Sequence, residues 1–229
     1  MNTLLLPLGR AISQLDDRVF LGVLLRGLAW SAVCFVVIHI AAVWAMHQLL
    51  HLHGVLGWAA GLLASIGATF LALWLFLPVA AAIGSLYIER IARAVERRYY
   101  PALPPAAPAP RASQIWDGIS LGGRILGLNV LALVLAIFLP GIGLVLAWLI
   151  AAYAFGRGMF VTVAMRRMPR PAAELLYRRA RLNVLAQGGA MALAGSVPVL
   201  NLLVPILGTA AMVHVLDQAL TAATMRAQP

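Results

Sequence analysis

The chain has 229 residues, 63% of them hydrophobic and 10% charged, and its 17 basic residues outnumber 7 acidic ones for a net charge of +10. A soluble domain carries about 25% charged residues, and with a mean hydropathy of +0.94 the composition predicts one polytopic membrane domain over residues 1–229. The basic residues are all arginine and no soluble basic domain stands apart, which argues against a nucleic-acid partner, and the single Cys34 excludes a disulfide framework.

In chain order, Leu5, Leu8, Ile12, Leu15 and Val19 recur at spacings of three and four. This predicts an amphipathic helix over about 4–20, lying in the membrane interface. Charges at Arg10, Asp16, Asp17, Arg18 and Arg26 come before the first long apolar run, so no cleavable signal is expected. A first transmembrane helix is expected over 27–50, with Trp30 and Trp44 near its ends. After the histidine loop at His51 and His53, a second is expected over 55–83. Its helical period continues through Ile88, Ile91 and Val95, with Glu89 and Arg93 in the favourable i,i+4 order. That predicts a long extension ending at Tyr99-Tyr100-Pro101. Five prolines over 101–110 then make a semi-rigid linker.

Ser113 to Arg124 reads as a surface helix leading into an apolar hairpin over 125–156, broken at Pro140-Gly141-Ile142-Gly143. A basic tract follows, including Arg166, Arg167, Arg170, Arg178, Arg179 and Arg181. A second hairpin over 182–216 is broken between Pro198 and Pro205, and a polar tail begins at Asp217. Each limb offers roughly 11 to 16 residues before a turn or a charge, against about 20 needed to cross a bilayer. The expected fold is therefore all-α, with two full transmembrane helices, two re-entrant hairpins and the N-terminal interfacial helix. With that count, and equally if the hairpins span fully to give six helices, all arginines fall on one side, which places both termini in the cytoplasm by the positive-inside rule. A bacterial inner membrane fits.

The second limb of each hairpin would start inside the membrane, and a helix start carries unpaired N–H groups and partial positive charge. Gly141 and Gly143 leave backbone N–H groups open to an anion, and Asn201 is the strongly polar residue of the second turn. Asn201 has an equal reading as a helix cap or tie. Arg178 and Arg181, with Arg18 near the first span, offer planar forks that suit an oxyanion and equally suit lipid headgroups; Arg18 has a third reading, as the partner of its neighbouring acids. His47, His51 and His53 lack accompanying carboxylate or cysteine ligands, so no metal is expected. No nucleophile–base motif, phosphate loop or HExxH motif appears, so neither catalytic residues nor a cofactor is expected.

Pro140-Gly141-Ile142-Gly143, Arg178-Arg179-Ala180-Arg181, the run from Val197 to Pro205 with Asn201 inside it, and Gly208-Thr209-Ala210-Ala211 together resemble the CysZ-type sulfate permeases and the related etoposide-induced membrane protein family. The resemblance implies two spanning helices, two pairs of partly penetrating helices, homo-oligomeric assembly and passive sulfate entry for cysteine synthesis. The permeases carry a Gly-x-Arg motif just before the first span, where this chain reads Asp16-Asp17-Arg18. Acid beside that arginine repels a dianion by about 1 kcal/mol in water-like surroundings. The rival expectation is a non-conducting scaffold whose hairpins insert in one leaflet.

Overall fold

The computed structural model describes residues 2–49, 58–59, 61–63, 65–70, 87–107, 109–138 and 141–227. Its labelled helices are α1 (Asn2–Ile12), α2 (Arg18–Leu49), α3 (Ile88–Tyr99), α4 (Arg111–Phe138), α5 (Ile142–Ala164), α6 (Arg170–Gly195), α7 (Pro198–Asn201) and α8 (Val204–Ala227). Among the described residues, four helices are long and apolar enough to cross a membrane: Arg18–Ala45, Arg111–Phe138, Ile142–Ala164 and Val204–Met225. The second expected span is helical where it is described, at 58–59, 61–63 and 65–70; its remainder, with His51 and His53, lies outside the described residues.

Several boundaries differ from expectation, each for a physical reason. The helix expected over 4–20 stops at Ile12. The backbone then turns, and Asp17 Oδ1 accepts the Val19 N–H at 2.8 Å, opening α2 with a side-chain cap. The helix that carries the first expected span therefore begins at Arg18. Arg124 and Arg157, read as limb boundaries, lie inside continuous helices, so α4 runs for 28 residues and α5 for 23. The polar tail expected from Asp217 is also helical, as the last part of α8.

α8 is the centre of the packing. Ala210, Ala211, Met212, Val215 and Leu216 are buried, joined by Phe20 and Val23 of α2, Ile91 and Val95 of α3, and Phe160 and Val161 of α5. α5 and α6 approach closely at Gly156 and Gly188, where a Cβ on Gly188 would meet the Ala152 carbonyl oxygen and the Gly156 backbone. Only a residue without a side chain fits there. By contrast α2 and α4 expose Leu25, Val37, Ile40, Leu126, Leu133 and Ile137. Such continuous apolar faces suit lipid rather than water.

The linker is fastened to the loop between α5 and α6. The Ala109 N–H donates to the Met165 carbonyl at 2.8 Å, and Arg167 Nη1 donates to the Pro104 carbonyl at 3.0 Å. At the first hairpin turn Gly141 has φ +94, a left-handed conformation that explains why glycine stands there.

Candidate functional site

A gathering of arginines with few carboxylate partners lies where α2 meets α3. Arg18 and Arg26 stand two helical repeats apart on one face of α2, with Gly22 between them. Arg90, Arg93 and Arg97 follow the i, i+3, i+7 spacing on α3. Together with Val19 and Val23 they line a cleft of about 390 Å³. Among the described residues, neither Arg18 nor Arg26 has an ion-pair partner. The Arg90 guanidinium lies 5.5 Å over the Tyr87 ring, and Arg97 Nε reaches only the Arg93 carbonyl, at 3.3 Å. Arg93 Nε donates to Glu89 Oε1 at 3.0 Å. Among the described residues, these five guanidinium groups thus share one carboxylate contact. A second cavity of about 600 Å³, between α3 and the proline linker, is also lined by Arg93 and Arg97, and by Arg167 and Tyr100.

The two acids beside Arg18 point elsewhere. Asp17 caps α2 and takes a further bond from Gln14 Nε2 at 3.4 Å. Asp16 pairs with Arg98 Nη1 at 3.4 Å. Neither carboxylate lines the cleft, so the repulsion expected from the sequence is displaced from the open guanidinium groups.

Behind the cleft lies a buried ion cluster. Arg166 Nε and Nη2 donate to Glu89 at 2.6 and 3.0 Å, and Nη1 and Nη2 donate to Glu96 at 2.7 and 3.2 Å. Arg167 Nε also reaches Glu96, at 3.1 Å. The hydrogen bond from Arg166 holds the Glu89 carboxyl below its ordinary range, against the opposing effect of partial burial. Burial works against the Arg166 charge, and its bonds to Glu89 and Glu96 outweigh it, so its pKa rises. Tyr100 donates to or accepts from His214 Nδ1 at 2.7 Å; burial, with the nearby Asp217 charge, pushes its hydroxyl up to about 12.

A second cluster ties α4, α5 and α6. Arg157, fully buried, gives Nη1 and Nη2 to Asp117 at 2.8 and 2.7 Å, and Nη2 to Glu174 at 2.7 Å. Arg170 Nε adds a bond to Asp117 at 2.8 Å.

Of the residues singled out by sequence, only Arg18 lines the arginine cleft. Arg178 and Arg181 are exposed on α6 and lie outside it. Gly141 sits exposed at the first turn among Phe138, Ile142 and Leu144, which are all exposed apolar residues, and Gly143 packs on Ala136. Asn201 is half-buried at the end of α7, its Oδ1 beside Gly195, which also neighbours the Phe155 ring. Phe155 is 14 residues from Gly141 along α5, about 21 Å of helix. The structure does not gather the two turns and the arginines at one point. Sequence reasoning missed Arg26, Arg90, Arg93 and Arg97, although their spacing along two helices was a visible signal. His39 stacks with Phe35, and among the described residues no group of three or more potential metal ligands occurs.

These features define an all-helical membrane protein with an arginine-lined cleft where α2 meets α3. A family model described as sulfate transporter CysZ/etoposide-induced protein 2.4 matches residues 8–205, and the chain belongs to that family. Neither a curated protein nor a solved structure matches it.

Proposed function

We propose that the protein passes a small inorganic oxyanion, sulfate first among them, down its gradient across a bacterial inner membrane to feed sulfur assimilation. The observation that carries this reading is the cleft in which Arg18, Arg26, Arg90, Arg93 and Arg97 meet a single carboxylate contact. Guanidinium forks match the oxygens of a tetrahedral anion, and a one-signed cleft raises the local concentration of that anion. Both termini are assigned to the cytoplasm with the arginines, and the assembly is assigned as a homo-oligomer surrounded by lipid.

The hairpins are assigned as partly penetrating. From Ile125 to Phe138 on α4, and from Ile142 to Gly156 on α5, no charge occurs. These stretches rise about 21 and 22 Å, short of the roughly 30 Å of hydrocarbon. The ionised Arg157 cluster marks where the polar part of these helices begins. Asn201, Gly141 and Gly143 are then candidates for the deeper part of the path, with Arg178 and Arg181 as outlying attractors.

Uptake of radiolabelled sulfate into proteoliposomes tests the function. Uptake above that of protein-free vesicles is expected, reduced by Asn201→Leu without loss of folded protein. Uptake equal to protein-free vesicles would remove transport. It would leave the second reading, a membrane scaffold, which the exposed apolar residues Phe138, Ile142 and Leu144 beside Gly141 favour.

A further inference from the structure

Among the described residues, Glu89 is the one carboxylate that touches an arginine of the cleft, and it is held from two sides. Its Oε1 accepts from Arg93 Nε at 3.0 Å and from Arg166 Nη2 at 3.0 Å, while Oε2 accepts from Arg166 Nε at 2.6 Å. The two arginines differ sharply. The Arg166 side chain is 5% exposed, and its Nε, Nη1 and Nη2 are all engaged by Glu89 and Glu96. The Arg93 side chain is 60% exposed. Its only hydrogen bond among those described is the one from Nε, and the residue lines the cavities on both sides of α3.

We infer that Glu89 is a built-in competitor for the oxyanion, occupying Arg93 when the cleft is empty and yielding it when an anion arrives. The inference rests on the oxyanion reading of the cleft. Exchange is inexpensive because Glu89 keeps both bonds from Arg166 after Arg93 turns away, so no buried charge is stranded. Release is assisted for the same reason: Glu89 remains ionised and within reach, ready to take Arg93 back. A pathway must hold its ion weakly enough to let it leave. Five free guanidinium groups would hold a dianion too well, and Glu89 lowers that hold.

Glu96 provides the control. It binds the same Arg166, at 2.7 and 3.2 Å, and Arg167, but has no bond to Arg93. A merely structural role for Glu89 would be shared by Glu96; a competing role would not.

The test is calorimetric titration of sodium sulfate into the detergent-purified full chain. Glu89→Gln is expected to tighten sulfate binding about sevenfold, the effect of removing one unit charge about 7 Å from a dianion in water-like surroundings. Glu96→Gln is expected to change it by less than about twofold, and Glu89→Gln combined with Arg93→Gln to lose the gain. Unchanged or weaker binding in folded Glu89→Gln protein overturns the inference, as does an equal gain in Glu96→Gln. If Glu89→Gln does not fold, Glu89→Asp serves: it keeps the charge but draws it back from Arg93, and a gain of about twofold is expected. No gain there overturns the inference as well. Sulfate binding by the unsubstituted chain together with no gain in the variants removes the competitor alone. Absence of sulfate binding by the unsubstituted chain removes the oxyanion reading and the competitor with it.

Discussion

Arg157 and Asp117, separated by forty positions, form a two-armed ion pair in which each terminal nitrogen of a wholly buried guanidinium meets one carboxylate oxygen, at 2.8 and 2.7 Å. The pair joins α4 to α5 at the base of the first hairpin. Glu174 and Arg170 extend the tie to α6. Removing one member of a buried pair leaves the other uncompensated, at about 3–5 kcal/mol. Asp117→Ala is therefore expected to lower the melting temperature in detergent by about 10 °C, read by intrinsic fluorescence. Replacing both partners, as Asp117→Leu with Arg157→Met, is expected to recover most of the loss.

Helix approach gives a second prediction. Gly188→Val pushes a side chain into the Ala152 carbonyl and the Gly156 backbone, and a misfit of this kind costs about 1–3 kcal/mol or more. Gly122→Ala on α4 meets nothing within 4 Å and is expected to be tolerated. Comparing the yield of monodisperse protein for the two variants checks this.

The arginine cleft predicts a particular pattern of transport loss. Arg18→Gln with Arg26→Gln is expected to reduce sulfate uptake at low ionic strength by about tenfold, and the difference is expected to shrink in 0.5 M of an inert salt as the field is screened. Arg178→Gln with Arg181→Gln, outside the cleft, is expected to change uptake by less than about threefold. Equal losses for the two pairs would contradict the assignment of the cleft to the path of the anion.

Acid sensitivity follows from Glu89. Its pKa in the folded chain lies below the ordinary 4.5, chiefly through the Arg166 hydrogen bond. A carboxyl depressed by folding contributes stability that is fully present above its unfolded pKa and is lost as pH falls through its folded value. The Glu89 contribution to the melting temperature is therefore constant from pH 7 to pH 5 and declines below about pH 4.5. In Glu89→Gln that part of the decline is absent, so the variant's melting temperature changes less between pH 5 and pH 3. A steeper decline in the variant would contradict the ionised state assigned to Glu89.

Much of the helical layout was legible because apolar runs and prolines announce it. The end of α3 at Tyr99-Tyr100-Pro101, the Glu89–Arg93 pair and the turns near Gly141 and Pro198 all follow local rules. The lengths of α4 and α5 did not, because Arg124 and Arg157 look like helix limits when read alone. Arg157 is tolerated by Asp117 and Glu174, and a partner forty residues away leaves no local trace. The cleft was half legible. Arg18 stood out beside the first span, whereas Arg93 was read only as the partner of Glu89 on the extension and Arg90 and Arg97 drew no reading of their own. Only the packing of α3 beside the start of α2 makes them one surface. Asp16 and Asp17 were misleading in the opposite direction, since sequence adjacency to Arg18 does not disclose that one caps a helix and the other faces Arg98.

The proline strap has a mechanical consequence. It is anchored at Pro104 and Ala109 to Arg167 and Met165, so α3 is belted to the foot of the first hairpin by a segment with little slack. Rocking that hairpin in the membrane would pull on the arginine face of α3, and the width of the opening would follow the tilt of a helix pair whose far end lies many ångströms deeper.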